Sequence, residues 1–98
     1  MTTEHIIAAL LAKSEALRAE GVAHLALFGS RARGDAYATS DLDVLIETIP
    51  GRRFSLINLS GVGLTVEDAT GIPSQIVLRR SLDPKFAARI RDDLVEVF

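Results

Sequence analysis

Two aspartates, Asp41 and Asp43, stand at the start of an apolar run that continues to Ile46. In a β-strand successive side chains alternate between faces, so both carboxylates would point to the same face. At about 3.3 Å per residue, their Cα atoms would lie roughly 6.5–7 Å apart. Carboxylates converging from that separation can hold two hard cations about 3.5–4 Å apart, the arrangement that assists phosphoryl displacement. The pair therefore predicts a metal site at the mouth of a strand; the alternative is a capped turn with solvated carboxylates.

A glycine–serine pair, Gly29 and Ser30, lies upstream and ends an earlier apolar run over residues 23–28. Glycine lets the backbone approach a phosphate closely. A serine at the start of a helical turn offers a hydroxyl, and the amides after it lack helical partners. We therefore expect residues 29–34 to form a phosphate-sized turn between two strands.

The combination resembles the nucleotidyltransferase superfamily related to DNA polymerase β, whose signature is Gly-Ser, about ten residues, then Asp-x-Asp. Here ten residues, Arg31 to Ser40, separate Ser30 from Asp41. The segment Ser-Arg-Ala-Arg-Gly from Ser30 to Gly34 is most similar to the minimal nucleotidyltransferases. These are short stand-alone proteins that are often the antitoxin partners of HEPN-domain proteins. The signature covers about fifteen residues; the order of elements and the short length extend the resemblance, more weakly, over nearly the whole chain.

This resemblance implies a fold, a reaction and roles for particular residues. The implied fold is α+β (α/β), a small mixed β-sheet with helices packed on it, and residues 1–98 are expected to form one domain. The implied reaction is Mg²⁺-dependent transfer of AMP from ATP to a hydroxyl of a partner protein, such as a tyrosine of a HEPN-type toxin. The implied catalytic and metal ligands for two Mg²⁺ ions are Asp41 and Asp43. The implied nucleotide-binding residues are Gly29, Ser30, Arg31 and Arg33, of which either arginine would offset the triphosphate charge.

The sequence departs from the family at one position. Related proteins carry a third carboxylate on a later strand, commonly within Val-Asp-Leu-Val, and this chain has Ser74-Gln75-Ile76-Val77 there. Gln75 would then occupy the position of the third metal ligand. An amide offers an oxygen but no charge, and it is a poor base. The alternative to an enzyme is therefore a catalytically impaired, nucleotidyltransferase-like module that neutralises a partner by direct contact.

Composition narrows the classes of partner. The chain has 98 residues, no cysteine and a net charge of −2. A surface for bulk nucleic-acid binding usually has an excess of basic residues, so nucleic acid is not an expected partner. No apolar stretch reaches the roughly 20 residues of a membrane span, so no membrane insertion is expected. The absence of cysteine fits a cytoplasmic protein, although it does not fix the compartment.

Hydrophobic periodicity and turn residues predict the remaining elements. The predicted helices are 2–20, an imperfect helix from about residue 56 to Gly71, and a helix from Asp83-Pro84 to about Leu94; the predicted strands are 22–28, 41–47 and 75–78. The tail Val95 to Phe98 has three possible roles: extending the last helix, adding an edge strand, or contacting a partner. The apolar stripe of the first helix is expected to pack on the sheet. It is also, with the tail, the predicted contact surface for a HEPN-type protein or for a homo-oligomer.

Overall fold

The computed structural model describes all residues, 1–98. Its five α-helices are α1 (Thr3–Leu11), α2 (Ser14–Glu20), α3 (Gly29–Arg33), α4 (Leu56–Thr70) and α5 (Pro84–Ile90). Its four strands are β1 (Val22–Phe28), β2 (Leu42–Thr48), β3 (Ser74–Leu78) and β4 (Val95–Glu96). Two short 3₁₀ turns, Arg79–Ser81 and Arg91–Asp93, flank α5. No helix is both long and apolar enough to span a bilayer.

The strands form one mixed sheet in the order β3-β2-β1-β4. β2 pairs with β3 in parallel, whereas β1 pairs antiparallel with both β2 and β4. The parallel pair requires a crossover, and α4 supplies it between β2 and β3. The predicted small mixed sheet with helices packed on it is therefore confirmed.

Both faces of the central strands are buried, and different helices cover them. On one face Leu27, Val44 and Ile46 pack with residues of α1, α2 and α4 in the main core. On the other face Phe28 and Leu45 form a smaller core with Ile90 of α5. Asp43 lies on β2 two residues before Leu45, so its side chain shares the face that α5 covers.

The N-terminal helix is broken, in contrast to the single helix predicted over residues 2–20. α1 ends at Leu11, and Lys13 leaves the helical conformation with φ −104° and ψ 10°. Its amide donates to the carbonyl of Leu10 rather than to the residue four positions back. Alanine and lysine are good helix formers, so propensity gives no signal for a break here. Leu10 and Leu17, on either side, are both fully buried, so tertiary packing decides the geometry.

The C-terminal segment also differs from its prediction. α5 ends at Ile90, four residues before the predicted end, and a 3₁₀ turn leads into β4. Of the three roles considered for the tail, the structure has the edge strand: Leu27 of β1 faces Val95, and Val97 is buried. Much of the tail and of the first-helix stripe thus packs inside the fold, and their role as the contact surface for another chain stays a prediction.

Candidate active site

Asp43 is the centre of the candidate site because, of the two predicted metal ligands, it is the one that lies within a strand. In the sheet its Cα partners are Phe28 on β1 and Gln75 on β3. Its side chain is half-buried, while Asp41, just before β2, is exposed. β2 therefore fixes Asp43 near the N-terminal end of an interior strand, and the segment preceding the strand carries Asp41.

The carboxylate of Asp41 is close enough to Asp43 to affect the pKa of Asp43. Burial raises the pKa of Asp43 above the ordinary 3.8, the charge of Asp41 raises it further, and the charge of Arg33 lowers it. Two neighbouring hard anionic donors of this kind fit the requirements of Mg²⁺, which prefers oxygen ligands and would relieve their repulsion. No group of three or more His, Cys, Asp or Glu side chains is arranged to hold a metal ion. Further oxygens would therefore have to come from a substrate such as a triphosphate, or from water.

Gly29 brings the backbone of the turn directly onto Asp43. Its φ of +75° lies in the left-handed region that side chains disfavour. A Cβ at this position would overlap the Oδ2 atom of Asp43. Only glycine meets both conditions, which explains why β1 passes into α3 through Gly29.

Ser30 follows in the first turn of α3. Its carbonyl accepts hydrogen bonds from the amides of Gly34, at 2.9 Å, and Asp35, at 3.1 Å, which closes the short helix. The side chain is half-buried beside Gly29. The structure thus brings Gly29 against Asp43, and Ser30 is the next residue along the chain.

Arg33 lies in the same cleft but is already held by carboxylates of this chain. Its Nη1 donates to Asp93 at 2.8 Å and its Nε donates to Asp35 at 3.1 Å. These two hydrogen bonds raise the pKa of Arg33. Asp93, in the 3₁₀ turn after α5, was not predicted, because no short motif links it to a residue 60 positions earlier.

Arg31 points to the backbone of the following loop rather than into the cleft. Its Nε and Nη2 donate to the carbonyl of Ser40 at 3.2 and 2.8 Å, and Nη2 also donates to that of Ala38 at 3.3 Å. In addition, the Thr3 hydroxyl donates to the Arg31 carbonyl at 2.7 Å. Arg31 therefore ties the loop that leads to Asp41 onto α3. Its binding of a triphosphate stays a prediction.

Gln75 lies next to Asp43 on the neighbouring strand. Paired residues of adjacent strands share a face, so the exposed Gln75 amide and the Asp43 carboxylate point the same way. Glu67 lies on α4, and its Oε1 accepts a hydrogen bond from the Ser74 amide at 3.1 Å.

A cleft of about 680 Å³ lies between the sheet, at Asp43 and Gln75, and α5. Asp43, Gln75, Arg33 and Asp93 line it together with Phe86 and Arg89 of α5. The Phe86 ring meets that of Phe28 edge-on, with centroids 5.9 Å apart, and the Arg89 guanidinium lies 5.6 Å from the Phe86 centroid. The sequence analysis did not indicate that Phe86 and Arg89 of α5 form one wall of this cleft.

A second cleft, of about 430 Å³, opens at the other end of β2 around the ion pair between Glu47 and Arg79. It contains none of the predicted site residues. Of the predicted site residues, the cleft at Asp43 is lined by Gly29, Arg33, Asp43 and Gln75, whereas Ser30, Arg31 and Asp41 do not line it.

Comparison with known proteins agrees with this fold. A family model described as nucleotidyltransferase domain matches residues 11–97. The protein adenylyltransferase MntA of Thermococcus cleftensis is 32% identical over 100 residues, covering 99% of this chain and 97% of the relative. A solved structure of a candidate minimal nucleotidyltransferase has a TM-score of 0.72 at 30% identity, covering 97% of this chain and 95% of its own.

The same fold occurs in a protein complex. A solved structure of an MNT antitoxin with a tri-AMPylated HEPN toxin from Shewanella oneidensis has a TM-score of 0.62, covering 90% of this chain and 68% of its own. At 15% identity this likeness shows the fold alone.

Proposed function

The chain belongs to the nucleotidyltransferase domain family, among the minimal nucleotidyltransferases, and on that premise we propose that it transfers AMP from ATP to a hydroxyl of a partner protein. The observation that carries the proposal is the cleft in which Gly29 packs against Asp43, with Asp41 close enough to raise its pKa. In this proposal residues 1–98 act as one minimal nucleotidyltransferase domain in the cytoplasm.

The proposed reaction joins the acceptor hydroxyl to the α-phosphorus of ATP and releases pyrophosphate. Asp41 and Asp43 would hold Mg²⁺ through their carboxylate oxygens. When bound, Mg²⁺ supplies positive charge that stabilises the phosphate oxygens and the leaving group.

The turn between β1 and α3 would hold the triphosphate. Gly29 has no side chain, so phosphate oxygens can approach its backbone closely. The Ser30 hydroxyl would donate a hydrogen bond to one of these oxygens. Arg33 would offset triphosphate charge, but it would have to share its guanidinium with Asp35 and Asp93, which hold it in the free protein.

The acceptor is proposed by analogy with relatives. One relative is named a protein adenylyltransferase, and a structure of the same fold holds a HEPN toxin that carries AMP groups. A HEPN-type protein is therefore the proposed partner, and this chain would be its antitoxin. The acceptor would approach along the cleft wall formed by Phe86 and Arg89, on the Gln75 side of Asp43.

A second candidate function is supported by Gln75. Beside Asp43 it supplies an amide where an active relative would have a third anionic ligand, and no three-ligand group is present. A protein with this site would bind nucleotide weakly, turn over slowly and neutralise its partner by contact.

One experiment separates the two functions. The chain is incubated with labelled ATP, Mg²⁺ and a candidate HEPN-type partner protein, with Asp43→Ala as the control. Labelling of the partner that is lost in Asp43→Ala supports the transferase. Partner neutralisation without labelling, equal in wild type and Asp43→Ala, supports the binding module.

A further inference from the structure

The outer surface of α4 exposes large apolar side chains. Leu56, Ile57 and Leu64 are 80%, 83% and 63% exposed. Ile57 and Leu64 are seven residues apart, so they lie on one side of the helix two turns apart. With Leu56 and the exposed Ser60 they form what we call the α4 outer stripe. Exposed apolar residues grouped in this way indicate an interaction surface more often than isolated ones do.

This chain's own core does not use the outer stripe. The inner side of α4 buries Val62, Val66 and Thr70. Gly61 lies against the second helix, where a Cβ would overlap the carboxylate of Glu20. The helix is therefore apolar on two sides, and only one of them packs within the chain.

The outer stripe lies on the back of the molecule relative to the candidate active site. α4 packs on the sheet face of Val44 and Ile46, whereas Asp43 and its cleft lie on the opposite face beneath α5. An acceptor that places a hydroxyl at Asp43 would contact the molecule on the side of α5. The stripe is therefore a surface separate from the one that acceptor would use.

The ends of the stripe carry opposite charges. Exposed Arg53 precedes the helix, and exposed Asp68 lies in its last turn, eleven residues after Ile57 on the same side. Neither side chain forms an ion pair or hydrogen bond within the chain. If two such helices pack antiparallel about a two-fold axis, the Arg53 of each copy meets the Asp68 of the other, and Ile57 meets Leu64.

We propose that the α4 outer stripe binds a second copy of this chain, forming a back-to-back dimer with two antiparallel α4 helices at its centre. A two-fold contact uses the same patch on both copies, and this patch is complementary to itself in charge and apolar contact. Ser60 and Gly63 are small, and a Cβ added at Gly63 would meet nothing in this chain, so the helices can approach closely. The dimer leaves both active-site clefts open to solvent and does not depend on the proposed function.

A contact made by two α4 helices alone would be small. A helix of 15 residues is about 22 Å long, and a single helix pair buries less than the roughly 1,200 Å² of standard stable interfaces. We therefore expect a weak dimer, with an equilibrium that shifts across the micromolar range.

Sedimentation velocity over a concentration series of the full chain tests the proposal. The wild type should shift from monomer to dimer, and Ile57→Lys should weaken the dimer about tenfold or more, because it places a charge at the apolar centre. Arg53→Asp and Asp68→Arg should each weaken it, and the double variant should restore it. Arg80→Asp, an equal charge change in the 3₁₀ turn after β3, should leave it unchanged.

Circular dichroism on each variant separates loss of the dimer from loss of the fold. A wild type that stays monomeric into the millimolar range overturns the proposal, even if the stripe variants lose binding to a HEPN-type protein. A dimer that survives in folded Ile57→Lys overturns it as well. Failure of the double charge reversal to restore the dimer overturns the antiparallel arrangement.

Discussion

Gln75 stands directly beside Asp43 in the parallel pairing of β3 with β2. Their side chains share one face of the sheet and line the same cleft. A carboxylate at position 75 would therefore face the same space as Asp43 and add a third anionic oxygen ligand to that side of the cleft. This chain has a neutral amide there, which reduces both the charge available to cations and the number of possible proton acceptors.

Gln75→Asp is expected to raise Mg²⁺ affinity and nucleotide transfer. A third carboxylate adds a hard ligand and a possible proton acceptor, and general-base assistance is typically worth about 10²–10⁴-fold in rate. Without Mg²⁺ the same substitution should lower the melting temperature, because the new charge lies beside Asp43. The measurements are melting curves with and without Mg²⁺ and the ATP-labelling assay.

Gln75→Asn is the matched control for that prediction, since it has the size of aspartate without the charge. It should show neither the gain in Mg²⁺ affinity nor the metal-dependent change in melting temperature. If Asp and Asn at position 75 behave alike, the side chain does not take part in the site.

Asp43→Asn is expected to stabilise the metal-free protein while it weakens binding of Mg²⁺ and ATP. The pKa of Asp43 is raised by burial and by Asp41, so the folded protein favours the protonated form. Ionisation of Asp43 therefore destabilises the folded protein. Protonated Asp43 contributes stability below the ordinary carboxyl pKa, and this contribution is lost as pH rises through the raised pKa. The melting-temperature advantage of Asp43→Asn in a chelator should therefore grow from pH 4 to pH 7. An advantage that is constant across this range would contradict the electrostatic cause.

The parts of the fold that sequence reasoning predicted are those fixed by local patterns. β1 was predicted with its observed bounds because an apolar run lies between Gly21 and Gly29, and both glycines have positive φ. α4 was predicted to end at Gly71 because a glycine there adopts the left-handed conformation that closes a helix. The position of Gln75 beside Asp43 was expected from the resemblance of residues 74–77 to a strand of the family, not from a local pattern.

The parts that sequence reasoning missed depend on contacts between distant residues. Asp93 holds Arg33 across 60 positions, and no spacing rule connects them. The break at Lys13 arises among good helix formers. In each case tertiary packing chose between options that the local sequence left equal.

Ser30→Ala is expected to weaken binding of Mg²⁺-ATP by about 1.5–3 kcal/mol, the range for a hydrogen bond to a charged group. Its melting temperature should change little, because the hydrogen bonds that close α3 are accepted by the Ser30 carbonyl. Isothermal titration calorimetry is the measurement, and Ser81→Ala, an exposed serine in the 3₁₀ turn after β3, is the control. A variant that melts much earlier yet binds ATP normally would make Ser30 a structural residue.

Gly29→Ala is expected to destabilise the protein more than Gly34→Ala and to abolish ATP binding. Both glycines have positive φ, +75° and +83°, so an alanine at either position pays a similar conformational cost of about 1–2 kcal/mol. The surroundings differ: a Cβ at position 34 meets nothing within 4 Å, whereas one at position 29 overlaps the Asp43 carboxylate. The difference between the two variants therefore isolates the contact of the turn with Asp43.

Urea denaturation of both glycine variants, with and without Mg²⁺-ATP, measures that difference. Gly34→Ala should lose stability but keep the stabilisation that the ligand provides, since its Cβ points into open space. Gly29→Ala should lose both, because the Asp43 carboxylate must move away from its position between Gly29 and Gln75 to make room. Equal losses of stability in the two variants, with ligand stabilisation intact in both, would mean that the close approach of Gly29 to Asp43 has no part in binding.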